Sequence, residues 1–498
     1  MMYVDDISSC SGLVYILLGM KASKRVAAEE IEKEDHVSVG SGDLVFEDEF
    51  EDEFEHEDIV DAQYEDVEVN LDDEPTAAPS VAAPQVYRPG IDALEADQVL
   101  EPEPGTYKML HRMDVQWPCL SFDILPDALG SDRRKFPMTA YVVAGTQADN
   151  ADKNKLIVMK WSNLQRTNKD GCEDDEEEEG KYKLDDDDED DEEDDENDGN
   201  PELEFRMIKH PGGVNRVRGM PQMSALVSTW SDNGSVHVWN VHAELEALEG
   251  RQGTAQGAGP VHSFNGHSTE GYGMAWNPHQ VGQLVTGDCN GGCYLWSPET
   301  AGGSWSQERV LRNESGFSSI EDIEFRKVGG SNIFAICGGI EGRVGIVDVR
   351  NSDKCASKFV AHEGDTNVLS WNPTVGQLLL TGGDDGTFKV WDIRATSRGA
   401  LANFKWHRGP ITSVDWHPTD EAVLAVSSED DTTSIWDMSV EEDASAGQSD
   451  EEYYPPQLLF LHMGQKSVKE LKFHKQMPGV VVSTAFDGFN IFKTFNIN

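Results

Sequence analysis

Short apolar runs bounded by Gly, Asp, Asn and Pro begin near Tyr107 and continue to the end of the chain. GQLLLTGG (376–383) is one of them, and such runs predict strands separated by turns. The runs recur with a period. Five segments end in one strand signature: SDNGSVHVWN (231–240), GDCNGGCYLWSP (287–298), GGIEGRVGIVDVR (338–350), GGDDGTFKVWDIR (382–394) and SSEDDTTSIWDMS (427–439). Their anchors, Trp239, Trp296, Val347, Trp391 and Trp436, stand 57, 51, 44 and 45 residues apart. Before each anchor comes a second signature, an aromatic followed by a turn: AWNP (275–278), EFRK (324–327), SWNP (370–373) and DWHP (415–418), with Met220-Pro221 in the same place in the first unit. A histidine precedes several units, at His210, His267, His362 and His407. Four short strands in a unit of about 45 residues predict an all-β fold built of propeller blades.

These units resemble the WD-repeat family, with the GH-to-WD pattern clearest at 362–392. Two weaker units complete a ring of seven: TAYVVAGTQADNADKNKLIVMKWSNL (139–164), ending near Trp161, and 462–495, which keeps His462, Phe473 and Asp487 but places Lys493 where Trp is expected. The expected architecture is a seven-bladed WD-repeat propeller over 105–498, preceded by a disordered acidic region at 1–104. The segment 105–127 is expected to close the ring, with LSFDIL (120–125) as its strand. Two insertions are expected as exposed loops: 165–204 between blades one and two, and 440–456 between blades six and seven. The second carries Ser449-Asp450-Glu451-Glu452, which reads either as an acid-directed phosphorylation site or as a solvated loop.

Charge changes this picture more than composition does. The 498 residues hold 93 acidic and 40 basic side chains, for a net charge of −53. Residues 27–74 hold 22 acids and one Lys, and residues 171–200 hold 20 acids and two. Without both tracts the chain is only mildly acidic. Phosphates must be neutralised by Lys and Arg, so direct nucleic-acid binding is disfavoured, as is an anionic membrane surface. The seven scattered cysteines and the absence of a long apolar run predict a soluble intracellular protein. The expected partner is strongly basic. Glu173, Asp174, Asp175, Glu176, Glu177, Glu178 and Glu179, followed by Asp185, Asp186, Asp187, Asp188, Glu189, Asp190 and Asp191, are the candidate partner-binding residues. A polyanion of this density attracts a Lys/Arg-rich client in a salt-sensitive way and competes with nucleic acid for it.

Catalytic and metal chemistry find little support. His362, Thr381, Asp385 and Trp391 supply imidazole, hydroxyl, carboxylate and indole, but partial copies recur at His407, Asp430 and Trp436. A constellation repeated in successive units reads as a structural hydrogen-bonded cluster. Cys289 and Cys293 stand in a C-x₃-C spacing with no second Cys pair to complete four zinc ligands. No phosphate-cradling glycine motif occurs, so no cofactor is expected.

YKMLHRMDVQWPCLSFDILPD (107–127) is more distinctive. It resembles the N-terminal motif of the histone-binding, retinoblastoma-associated and chromatin-assembly WD-repeat group. QVYRPG (85–90), AGTQA (144–148), the acidic insertion, GGVNRVR (212–218), VTGDC (285–289) and VSTAFDGFNIF (482–492) bring the chain closer to the glutamate-rich WD-repeat family of ribosome-assembly chaperones. That resemblance implies a nuclear and nucleolar non-enzyme, a monomeric ring that escorts a basic ribosomal protein, the third of the large subunit. It also implies core histones as alternative partners. Trp391, Asp392 and Arg394, and more weakly Val347-Asp348-Val349-Arg350, resemble the WD-x-R box of cullin-ring ligase receptors, a third reading.

Overall fold

The computed structural model describes residues 17–18, 20–24, 98–102, 105–167, 200–251, 259–299, 304–312, 316–330, 332–441 and 454–497. Seven four-stranded antiparallel sheets surround a central channel, the ring expected from the repeats. We letter the strands of a blade a to d from the channel outwards. Blade one is Cys119–Ile124, Met138–Thr146, Lys155–Leu164 and Glu202–Lys209. Blades two to six span 214–264, 273–310, 322–360, 366–405 and 411–462. Blade seven takes strands a to c from Glu470–Phe473, Val480–Ala485 and Gly488–Thr494, and strand d from Tyr107–Met113.

Apolar side chains on the facing surfaces of adjacent blades form the core. Val368, Leu380 and Phe388 of blade five, for example, pack on Val414, Leu424 and Trp436 of blade six. The second signature joins blades in a different way. The Trp276, Trp371 and Trp416 indole N–H groups each donate to a strand-a carbonyl of the preceding blade, at Arg218, Glu324 and Ser370, over 3.0, 3.1 and 3.1 Å. Met220, Phe325 and Phe473 hold the same place without a donor. The turns between strands b and c need glycine. At Gly386, with φ of +70°, a Cβ would stand 2.8 Å from the His407 carbonyl oxygen.

The structure corrects four expectations. The closing strand is Tyr107–Met113, paired with Gly488–Thr494, and the stretch expected to close the ring is instead the inner strand of blade one. The insertions interrupt blades rather than separate them. The acidic one lies between strands c and d of blade one, whose strand d already begins at Glu202, and the second lies between Thr433–Asp437 and Leu458–His462 of blade six. The reason is that the repeat ends on its Trp strand while the sheet takes a fourth strand from the residues that follow. In blade seven, Val481 pairs with Phe492 as Leu379 pairs with Trp391, so Phe492 and not Lys493 stands at the Trp position. Lastly, part of the 1–104 region forms strands: Leu17–Leu18 runs parallel to Phe460–Leu461, and Met20–Lys24 pairs with Gln98–Pro102.

Candidate interaction surfaces

Four blades repeat one polar cluster. In blade five, His362 Nδ1 lies 3.1 Å from Asp385, its Nε2 lies 2.8 Å from Thr381 Oγ1, and the Trp391 indole donates to that same hydroxyl over 3.0 Å. Indole to hydroxyl to imidazole to carboxylate is a closed donor chain. Trp391 meets the hydroxyl rather than the imidazole. Blade six repeats it through His407, Asp430, Ser434 and Trp436, and blade three through His267, Asp288, Thr286 and Trp296. Blade two keeps His210, Thr229 and Trp239, with the Gly212 carbonyl replacing the carboxylate. Burial pushes the His362 imidazole below its ordinary range, which the Asp385 carboxylate only partly offsets. Burial alone would raise the Asp430 carboxyl, but the His407 hydrogen bond outweighs it and holds the group at about 2. These imidazoles spend both ring nitrogens on the fold and have none left for a substrate.

Blade seven replaces this cluster. His462 lies between the Tyr107 hydroxyl, at 2.8 Å, and the Asn490 side chain, at 3.0 Å, and stacks on Phe492. Desolvation lowers its pKa to about 3. The hydroxyl comes from the closing strand, so the two ends of the propeller chain meet at one imidazole.

The central channel holds a cavity of about 480 Å³ ringed by charge. Glu470 accepts from Arg218 at 2.8 Å and Arg216 at 3.4 Å, and also from the Ser121 hydroxyl and the Phe122 N–H. Lys472 pairs with Asp123 at 2.9 Å, and Lys327 with Glu324 at 3.0 Å. The carboxylates also stitch blade to blade. Asp123 accepts from the Gly219 N–H, Asp322 from Leu369, Glu324 from Trp371 and Asp415 from Phe473, each on the inner strand of the next blade. Burial would raise the Glu470 carboxyl, but Arg218, Lys472, Arg216 and the Ser121 hydroxyl bring it down to about 2. These acids close the ring, and inner-strand N–H groups would otherwise go unpaired.

A different set of carboxylates faces outwards. Strands alternate in direction, so the d-to-a and b-to-c connections share one face of the ring. Glu270, Glu321, Glu341, Asp365 and Asp384 lie on those connections from blade two to blade five. None of the five is in an ion pair with Lys or Arg among the described residues. Burial, followed by the charges of Asp384 and Glu341, raises the Asp365 carboxyl above its ordinary range. Burial, together with Glu321 and Glu270, pushes the Cys289 thiol up to about 12. The arc thus concentrates negative potential on a folded surface. Sequence reasoning missed it because each unit contributes only one or two acids at an ordinary turn.

The opposite face carries the c-to-d connections, both insertions and the chain's entry into Tyr107–Met113. The candidate residues Glu173 to Asp191, and Ser449 with its acidic neighbours, lie outside the described residues. The root of the acidic insertion is described. The Asn163 side chain donates to the Asn200 carbonyl over 2.7 Å, and the Thr167 N–H donates to the Lys108 carbonyl of the closing strand over 3.1 Å. On this face Asp392 and Arg394 form a two-point clamp at the surface, repeated by Asp348 and Arg350. Trp391 is buried, so it cannot belong to one exposed box with Arg394.

Comparison with known proteins decides the family. Residues 97–165 match the family model described as histone-binding protein RBBP4 or a component of the CAF1 complex, and residues 353–392 and 399–437 match the WD domain, G-beta repeat. The chain is 40% identical over 492 residues to glutamate-rich WD repeat-containing protein 1 of Dictyostelium discoideum, covering 96% of this chain and 99% of that one. The chain belongs to the glutamate-rich WD-repeat family. It is also similar to the ribosome assembly protein rrb1 of Schizosaccharomyces pombe, 36% identical over 95% of this chain and 99% of that one. Protein HEAT STRESS TOLERANT DWD 1 of Arabidopsis thaliana is 40% identical over 83% of this chain and 92% of that one. The closing strand and the first three strands of blade one lie inside the segment matched by the histone-binding model.

Proposed function

We propose that this chain is a non-enzymatic ribosome-assembly factor of the nucleus and nucleolus that holds a basic protein of the large subunit, the third, before it meets RNA. The observation that carries this reading is the arc of five outward carboxylates without cationic partners among the described residues. Unpaired like charges on one rigid face are a cost unless a cationic partner offsets them. The relative named for ribosome assembly points to the process, and the net charge of −53 points to the chemistry of the client. In this reading the arc docks the client, and the acidic residues from Glu173 to Asp191 cover its remaining basic segments. Core histones are the second reading, favoured by the match of residues 97–165 to the histone-binding model.

Binding of the purified third large-subunit protein to wild type and to the triple variant Glu341→Gln, Asp365→Asn, Asp384→Asn tests the docking role. Three exposed charges at about 0.5 kcal/mol each predict a loss of about tenfold. Unchanged affinity contradicts the arc. Binding of histones H3–H4 with no binding of the ribosomal protein would favour the second reading instead.

A further inference from the structure

The outer strands of three adjacent blades are finished in different ways. The edge of blade six is extended by Leu17–Leu18. The edge of blade seven is engaged by Thr167, which bonds Lys108 and Leu110 of the closing strand. The edge of blade one, Glu202–Lys209, has no strand paired beyond it among the described residues. It is also the longest outer strand, at eight residues against three to seven elsewhere.

Its side chains divide by face. Glu204 and Arg206 turn towards blade two, where Glu204 meets Lys160 and Arg206 donates to the Ala247 carbonyl of the helix His242–Leu248. Leu203, Phe205 and Met207 lie on the other face, in register with the buried Trp161, Met159 and Ile157. Leu203 packs into that core, but Phe205 is 46% and Met207 45% exposed. A long open edge with two exposed apolar side chains two residues apart is a hazard that folded proteins usually cover or charge.

We propose that this edge receives an extended Lys/Arg-containing segment of the client as an added strand. Apolar side chains at alternate positions of that segment would seat over Phe205 and Met207. Charge complementarity selects this occupant. Glu202 and Glu204 open the strand, and the tract of 20 acids at 171–200 joins it directly in the chain. A basic segment drawn to the tract therefore arrives beside the open edge. The inference rests on the client reading above and supplies an apolar, salt-insensitive component that the tract lacks.

The test is binding of the purified third large-subunit protein to wild type and to the double variant Phe205→Ser, Met207→Ser across a salt series, with amide exchange of 202–209 followed in wild type. Affinity is expected to fall at least tenfold at every salt concentration, with an unchanged salt slope and an unchanged thermal transition. Amides of 202–209 are expected to gain protection when the client is added. Equal affinity of the variant, or no gain in protection, overturns the edge-strand inference and leaves the client reading standing. Failure of wild type to bind overturns the client reading, and the inference falls with it.

Discussion

Blades five and seven are built from the same four strands but are held by different means. Blade five is local. All four strands lie within 366–405, and the His362 cluster binds its hairpins together with both ring nitrogens satisfied. Blade seven borrows strand d from residues more than 370 positions away and has Phe492 and Asn490 in place of the Trp and hydroxyl. It is held through its neighbours instead: Glu470 reaches Ser121 and Phe122 of blade one and the guanidinium groups of blade two, and Lys472 reaches Asp123. Where the repeat signature is strong, a blade stabilises itself. Where it has decayed, buried ionic links between distant parts of the chain take over.

The largest expected effect breaks the second kind of link. Glu470→Gln leaves Arg216 and Arg218 buried without a full counter-charge and should cost about 3–5 kcal/mol in denaturant unfolding. A depressed carboxylate pKa contributes stability that is present above the unfolded value and lost as pH falls through the folded one. Glu470 moves from an ordinary 4.5 to about 2, so wild-type stability should fall across that window, and the variant should fall less. Equal acid sensitivity of the two proteins would show that Glu470 does not carry the seam.

A smaller effect is expected from the local device. Asp385→Ala removes the acceptor of one imidazole nitrogen and should cost about 1–3 kcal/mol, with the transition remaining cooperative. A loss as large as that of Glu470→Gln would erase the distinction between the two blades.

The same contrast decides what the sequence reveals. Blades three, five and six are legible because Trp296, Trp391 and Trp436 and the Asn-Pro or His-Pro turns repeat within each unit. The closing strand YKMLHRM is not legible, since its pairing with 488–494 is a non-local property and nothing in its composition marks it as an outer strand. Strand d of blade one is hidden for a related reason, since an insertion separates it from the Trp161 strand it pairs with. The acidic tract is obvious as composition. The arc of Glu270, Glu321, Glu341, Asp365 and Asp384 is invisible until ring closure sets successive turns side by side. Phe205 and Met207 look like ordinary strand residues, and only the open edge they stand on, with no described strand beyond it, distinguishes them.

A rigid acidic ring that captures a cationic client is tested most directly by removing the tract without touching the ring. The measurement is the affinity of the 173–198 deletion for the purified third large-subunit protein, taken from low to high salt beside wild type. The account predicts weaker binding at low salt, a flatter dependence of log affinity on log salt, and an unaltered thermal transition. Wild-type affinity and slope in the deletion, at the lowest salt used, would contradict it.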